Sequence, residues 1–179
     1  MRLLVKTSSM GDVVHALPVV HDIVREHPQA RIEWLVEAPF AAIASMHPGV
    51  AAVLPMAWRK WRRELYARRT WHAMAALRAR LRSEPYDLVL DLQGLLKSAL
   101  WARQALGPTA GYDAASAREP LAARLYRRRL AVPRELHAVR RCRLLVAGHL
   151  GLPAPDDAPV FGLEAPAPGW MPRGTYSVL

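Results

Sequence analysis

Along the chain, apolar runs of strand length alternate with stretches whose apolar residues return every three or four positions. RLLVKTS is a short apolar run ending in small residues, and Val13, Val14, Leu17, Val20, Ile23 and Val24 then recur at helical spacing as far as His27-Pro28. RIEWLVE predicts a second strand, PFAAIASMHP a short helix and VAAVLPMAW a third strand. TWHAMAALRARLRSE then reads as a helix, YDLVLDLQG as a strand, and LLKSALWARQALG as a helix stopped at Gly107-Pro108. PTAGYDA predicts a short strand, and HAVRRCRLLVAGHLG a final helix closed by glycine. Strands alternating with helices predict an α/β fold, a Rossmann-like parallel sheet with helices on both faces. Pro18 lacks the N–H a helix interior needs, so it is expected to bend the first helix or to set its first turn apart as a separate segment.

The pattern changes at residue 152. LPAPDDAPVFGLEAPAPGWMPRG is dense in proline and has no periodicity, which predicts an extended linker, and TYSVL after it reads as a fresh strand. The expected organisation is therefore a Rossmann-like domain over 1–151, a linker over 152–174, and the first strand of a second domain over 175–179.

Composition narrows the classes. With 179 residues, 52% of them hydrophobic, the chain has enough apolar material for a substantial core and is not a disordered tail. No secretory signal and no bilayer-length apolar stretch is seen, so a cytoplasmic location is expected. The single cysteine, Cys142, makes an internal disulfide or zinc cluster impossible and reads as a buried helical thiol. The net charge of +10 is concentrated in three knots: Arg59, Lys60, Arg62 and Arg63; Arg127, Arg128 and Arg129; Arg140, Arg141 and Arg143. Such knots point to an anionic partner, whether nucleic acid, an anionic membrane or a phosphorylated or carboxylated substrate, or else to solvated helix faces. Nucleic acid is not expected, because no helix-turn-helix, aromatic RNA-binding signature or zinc-finger spacing accompanies the charge.

In an open parallel sheet, ligands bind beyond the carboxyl ends of the strands, which singles out KTSSMGD after the first strand and DLQGLLKS after YDLVL. The first loop is neither a Walker A loop nor GxGxxG, and the chain has no GxSxG elbow and no metal-ligand spacing. Two readings of KTSSMGD stand side by side. In one, Gly11 lets the chain turn and Asp12 caps the helix. In the other, Asp12 is a reactive carboxylate at the mouth of the sheet, where a positioned base contributes about 10²–10⁴ in rate. A helix N-terminus stabilises the Asp12 anion and weakens it as a base.

KTSSMGDVVHALP at 6–18, AWRKWRRE at 57–64, DLQGLLKSA at 91–99, SAREPLA at 116–122 and HAVRR at 137–141 occur in an order that resembles the lipopolysaccharide heptosyltransferases of glycosyltransferase family 9. The KTSSMGD loop resembles the branch that adds the first heptose. This resemblance implies the N-terminal half of a two-domain GT-B enzyme. It further implies inverting, metal-independent transfer of L-glycero-D-manno-heptose from ADP-heptose to a 3-deoxy-D-manno-octulosonic acid (Kdo) hydroxyl of Kdo2-lipid A. No cofactor is implied, ADP-heptose being the donor substrate. By the same resemblance Asp12 is the general base, and Lys6, Ser9, Arg59, Lys60, Trp61, Arg62, Arg63, Gln93, Arg118, His137 and Arg141 lie on the acceptor side. The implied partners are Kdo2-lipid A and the anionic inner-membrane surface, with peripheral attachment to it. The donor half belongs to the second domain, so this chain alone is expected to be inactive.

Several residues keep two readings at this point. His15 falls one turn after Asp12, either orienting it or serving as a structural histidine. Lys97 either meets an anion or solvates a helix. Trp58 and Trp61 either stack on sugar or lie at a membrane interface, or else are half-buried packing residues. A related sugar transferase with another acceptor is the alternative within the same chemistry.

Overall fold

A computed structural model describes residues 1–164. The expected strand at 175–179 and the linker from 165 onward lie outside the described residues.

The alternating periods fold as a six-stranded, wholly parallel sheet in the order β3-β2-β1-β4-β5-β6. The strands are β1 (Arg2–Val5), β2 (Ile32–Glu37), β3 (Val50–Met56), β4 (Leu88–Asp91), β5 (Thr109–Tyr112) and β6 (Arg128–Leu130). The helices are α1 (Met10–Glu26), α2 (Ala41–Ser45), α3 (Trp58–Trp61), α4 (Arg68–Leu81), α5 (Leu96–Ala102) and α6 (Ala138–Leu150), with 3₁₀ turns at Ala38–Phe40 and Pro120–Leu125. Successive residues of a strand point to opposite faces, so β1 feeds two cores. Leu4 packs with Val13, Leu17, Val20, Trp34 and Leu145 against α1 and α6, whereas Leu3 and Val5 pack with Leu77, Leu81 and Trp101 against α4 and α5. Both faces are covered, which is why β2, β4 and β5 are buried along their whole length.

Two expectations are corrected, and two elements appear that the pattern did not predict. Pro18 does not set the first turn of α1 apart: the helix is continuous over 17 residues, and burial of Val13, Leu17, Val20 and Ile23 carries it across the missing hydrogen bond. The helix expected to run to Gly107 ends at Ala102. Beyond it the chain leaves the helix to pair its backbone with neighbours, Leu106 N–H with the Leu81 carbonyl at 3.3 Å and Tyr86 N–H with the Leu106 carbonyl at 2.6 Å. Gly107 fits there because a β-carbon would stand 2.4 Å from the Tyr86 carbonyl oxygen. Finally, β6 and the short α3 carry no apolar period. The first is an edge strand made of the second arginine knot, with Arg128 and Arg129 exposed, and charge on an edge blocks further pairing.

The third arginine knot bonds within the protein, although only Arg143 of the three is buried. Arg143 is buried and holds both Asp22 oxygens, at 2.7 and 3.0 Å, joining α6 to α1. It also reaches Asp157 at 2.6 Å, and Arg25 meets the same carboxylate at 2.8 Å, so the first part of the proline-rich segment is strapped onto α1 and α6. Arg140 donates to the Pro155 carbonyl at 3.0 Å. Cys142 is a buried free thiol.

Candidate active site

The connection from β1 leads toward β2 and that from β4 toward β5, in opposite directions along the sheet, so the loops after β1 and β4 diverge and leave a crevice. KTSSMGD and DLQGLLKS border it. A third loop, SAREP after β5, closes over them.

A ladder of hydrogen bonds from the core outward fixes these loops. Asp91, at the end of β4, is fully buried and accepts from Ser98 Oγ at 2.7 Å, Tyr126 OH at 2.7 Å, and the Gln93 and Gly94 amides at 2.8 and 3.3 Å. Burial pushes its pKa up while those four donors pull it down, leaving it above the ordinary value. The Gln93 side chain then grips the first loop, accepting from the Thr7 and Ser8 amides at 3.0 and 3.3 Å and donating to the Ser8 carbonyl. Gly94 sits at φ +68°, and a β-carbon there would meet the Arg118 amide at 3.2 Å, so glycine lets the third loop approach. Glu119 completes the contact, its amide bonding the Gly94 carbonyl at 2.9 Å and its carboxylate accepting from the Leu96 amide at 2.6 Å.

Asp12 stands where the loops converge. Ser9 is the N-cap of α1 and Asp12 the third helical residue, so the expected cap at Asp12 lies three positions earlier, and Asp12 reaches back to the Ser9 amide at 2.9 Å. One Asp12 oxygen therefore accepts from Ser9 N–H and, at 3.2 Å, from Arg118 Nη1. The other lies 3.5 Å from Nζ of Lys6, a buried cation that also donates to the Leu92 carbonyl at 3.0 Å. Burial pushes the Asp12 pKa up, but Lys6, the Ser9 amide and Arg118 together outweigh it and hold the carboxyl below its ordinary range. Gly11 is in the first helical turn without a left-handed backbone, so the turn expected of it is not made there; nothing lies within 4 Å of where its β-carbon would be, and the helix end stays open beside Asp12.

The other expected residues divide into three groups. Lys6, Ser9 and Arg118 touch Asp12, and Gln93 braces the loop from below. His137 and Arg141 enter from the start of α6: the His137 ring stands 5.1 Å edge-on to His15, and Arg141 donates to the Ser116 carbonyl at 2.6 Å with its guanidinium over the Tyr112 ring. Arg59, Lys60, Arg62 and Arg63 form a separate bank on and just after α3, all four exposed and Arg59 over the Phe40 ring, with no direct bond to Asp12 among the described residues. Trp61 is in none of the three. It is 7% exposed and packs on Trp101 at 5.6 Å in the second core, so its side chain lies away from the crevice.

Glu37 and Asp91 were not singled out in the sequence. Glu37, the last residue of β2, is buried with one carboxylate oxygen unpartnered among the described residues, and burial raises its pKa against the pull of Lys97, Arg59 and Arg62. Lys97 is pushed down by burial, opposed by Glu37, and its Nζ reaches Ser8 Oγ at 3.1 Å. Glu37 and Asp91 share one available signal, being the acids that end parallel strands.

The description Glycosyltransferase family 9 (heptosyltransferase) matches residues 74–168. Lipopolysaccharide heptosyltransferase 1 of Pseudomonas aeruginosa is 47% identical over 164 residues, 90% of this chain and 46% of that protein. The protein of the same description from Escherichia coli K12 is 44% identical over 155 residues, covering 86% of this chain and 49% of its own length. The chain thus spans about half the length of the curated relatives it matches. Among solved structures, E. coli heptosyltransferase WaaC with ADP superposes with a TM-score of 0.87 at 41% identity, over 90% of this chain and 51% of that one. E. coli ADP-heptose lps heptosyltransferase II gives 0.66 at 23% identity over 93% and 47%, a likeness of fold.

Proposed function

The chain belongs to glycosyltransferase family 9, the heptosyltransferases, and on that footing we propose that it is the acceptor-binding half of an inverting, metal-independent enzyme that moves L-glycero-D-manno-heptose from ADP-heptose to a Kdo hydroxyl of Kdo2-lipid A. The observation that carries the proposal is the Asp12 carboxylate, held at the crevice mouth by Lys6, Ser9 and Arg118. In an inverting transfer the acceptor hydroxyl attacks the anomeric carbon from the face opposite ADP. Asp12 takes the hydroxyl proton as the new C–O bond forms, and the bond to the phosphate oxygen breaks with its electron pair leaving on ADP.

A carboxylate with a lowered pKa is always ionised at neutral pH but is a weak base. Arg118 resolves this. Its side chain is 52% exposed and linked to Asp12 by one bond, so an acceptor carboxylate arriving beside it draws the guanidinium into a bidentate pair. Asp12 then loses a stabilising cation as the hydroxyl arrives, and its basicity rises. Arg59, Lys60, Arg62 and Arg63 supply the anion-binding bank for phosphates further along the acceptor, with Glu37 and Lys97 between the bank and the Asp12 loop. An acceptor that is a membrane lipid places the protein at the cytoplasmic face of the inner membrane, attached peripherally.

The test is kinetic, in the two-domain enzyme. Asp12→Ala and Asp12→Asn are expected to lower kcat by on the order of 10² or more with the acceptor KM nearly unchanged. Normal turnover in Asp12→Asn removes Asp12 from the reaction. The 179-residue chain alone is expected to bind a Kdo-containing acceptor weakly and salt-sensitively, and to show no binding of ADP by calorimetry.

A further inference from the structure

Four carboxylates are buried among the described residues, and three of them are answered by side-chain donors. Asp22 is held by Arg143, Glu33 by Arg80 and the Tyr86 hydroxyl, and Asp91 by Ser98 and Tyr126 together with two backbone amides. Glu37 is the exception. It is 1% exposed, it forms no ion pair among the described residues, and one of its oxygens meets no donor there. A buried charge without a direct partner costs stability, and an apolar side chain of similar volume would cost less.

The groups that face Glu37 supply a reason for an acid at this place. Its backbone amide donates to the Thr7 carbonyl at 3.0 Å, which sets the end of β2 beside the KTSSMGD loop. Lys97 faces it from α5, and Arg59 and Arg62 from α3 and its end; all three cations oppose the upward push of burial on its pKa, Lys97 most of all. The influence is mutual. Lys97 is half-buried, and burial lowers its pKa. Glu37 is the largest opposing influence, Arg59 and Arg62 add to the lowering, and Glu119 of the third loop opposes it more weakly. The Lys97 ammonium donates to Ser8 Oγ at 3.1 Å; Ser8 is buried, and the neighbouring Ser9 amide holds Asp12 at 2.9 Å. A line of charge and hydrogen bonding thus runs from the arginines of α3 through Glu37, Lys97 and Ser8 to Asp12. Without the Glu37 charge, a half-buried ammonium is left beside two guanidinium groups. It then turns toward solvent or gives up its proton, and a neutral amine makes the weaker bond to Ser8.

We infer that Glu37 is a positioning residue: its buried carboxylate holds the Lys97 ammonium on Ser8 and so ties the basic side of the crevice to the loop that presents Asp12. This rests on reading that loop as the site of transfer. The measurements use the 179-residue chain with neither donor nor acceptor, so their failure leaves the Asp12 chemistry standing, and normal turnover in Asp12→Asn leaves the Glu37–Lys97 coupling standing. The chain has three lysines, Lys6, Lys60 and Lys97, so the lysine ε-carbon resonances are assigned by single replacements and followed by NMR against pH. In Glu37→Gln the Lys97 ammonium is expected to titrate at lower pH than in wild type. Reciprocally, Lys97→Met is expected to raise the pH at which the Glu37 carboxyl titrates, and this half-exposed position carries the test if Glu37→Gln does not fold. Exchange of the Ser8 amide is expected to quicken roughly three- to tenfold in either variant and no further in the double variant. Global stability of Glu37→Gln is expected to be equal to wild type or higher, because a buried charge is removed. Unmoved titrations, Ser8 exchange at the wild-type rate, or additive exchange in the double variant overturns the inference. So does a global loss of stability in Glu37→Gln large enough to account for the faster exchange, which would make Glu37 a structural acid only.

Discussion

Gln93 is the hinge between the buried base of the site and the loop that presents Asp12, and its replacement by leucine isolates that role. Leucine keeps most of the volume but removes the acceptor for the Thr7 and Ser8 amides and the donor to the Ser8 carbonyl. Thr7 and Ser8 are buried, so water does not take over these groups freely. Each lost hydrogen bond removes about 1 kcal/mol net, and stranding a buried donor costs about 1–3 kcal/mol. The loop's opening free energy is therefore expected to fall by about 2–4 kcal/mol, which at 1.4 kcal/mol per decade is roughly 30- to 1,000-fold faster amide exchange. Hydrogen exchange followed by NMR reads Thr7 and Ser8 directly, with Leu145 in α6 reporting global unfolding. Gln93→Glu, whose carboxylate still accepts from both amides but sets an acceptor against the Ser8 carbonyl, is expected to keep part of the protection. Thr7 and Ser8 exchanging within about threefold of wild type in Gln93→Leu, set against that roughly 30-fold minimum, would falsify the bracing role and return Gln93 to the acceptor side.

Three further outcomes follow from the same structure. Trp61→Ala is expected to destabilise the chain by about 3–5 kcal/mol in urea titration, because it empties a core position against Trp101; a loss below about 1 kcal/mol would mean the ring is not packed there. Arg143→Ala strands buried Asp22 and is expected to cost about 3–5 kcal/mol, much of it recovered in Arg143→Met/Asp22→Leu; equal stability of the single and double variants would contradict the pairing. Asp12 has a folded pKa below its unfolded one, so its contribution is complete above the unfolded value of about 3.9 and is lost as pH falls through the folded value. Stability measured from pH 5 downward should thus fall less steeply in Asp12→Asn than in wild type, and parallel curves would show that Asp12 is not held low.

The order of strands and helices was legible in the sequence, because a helix and a buried strand each impose a period that burial enforces residue by residue. Loops at the ends of strands were legible for a related reason: Asp12, Lys6, Ser9 and Gln93 sit next to runs whose direction the parallel fold dictates. The extent of charge was legible too, but not its use. Arg59, Arg62 and Arg63 read like Arg140, Arg141 and Arg143, yet the first set faces solvent while Arg143 is buried on Asp22, 121 positions away. A run of like charges determines a field, and only tertiary pairing determines which members are free to meet a ligand. Trp61 shows the same limit, since an aromatic among arginines carries no mark of the face it turns inward. Glu37 and Asp91 are hidden for the opposite reason: each ends an apolar strand, and only the packed neighbours leave one carboxylate with an unpartnered oxygen and the other with four donors. The chain order supplies the groups of this site, and the packing of three distant loops against one another decides which of them face the crevice.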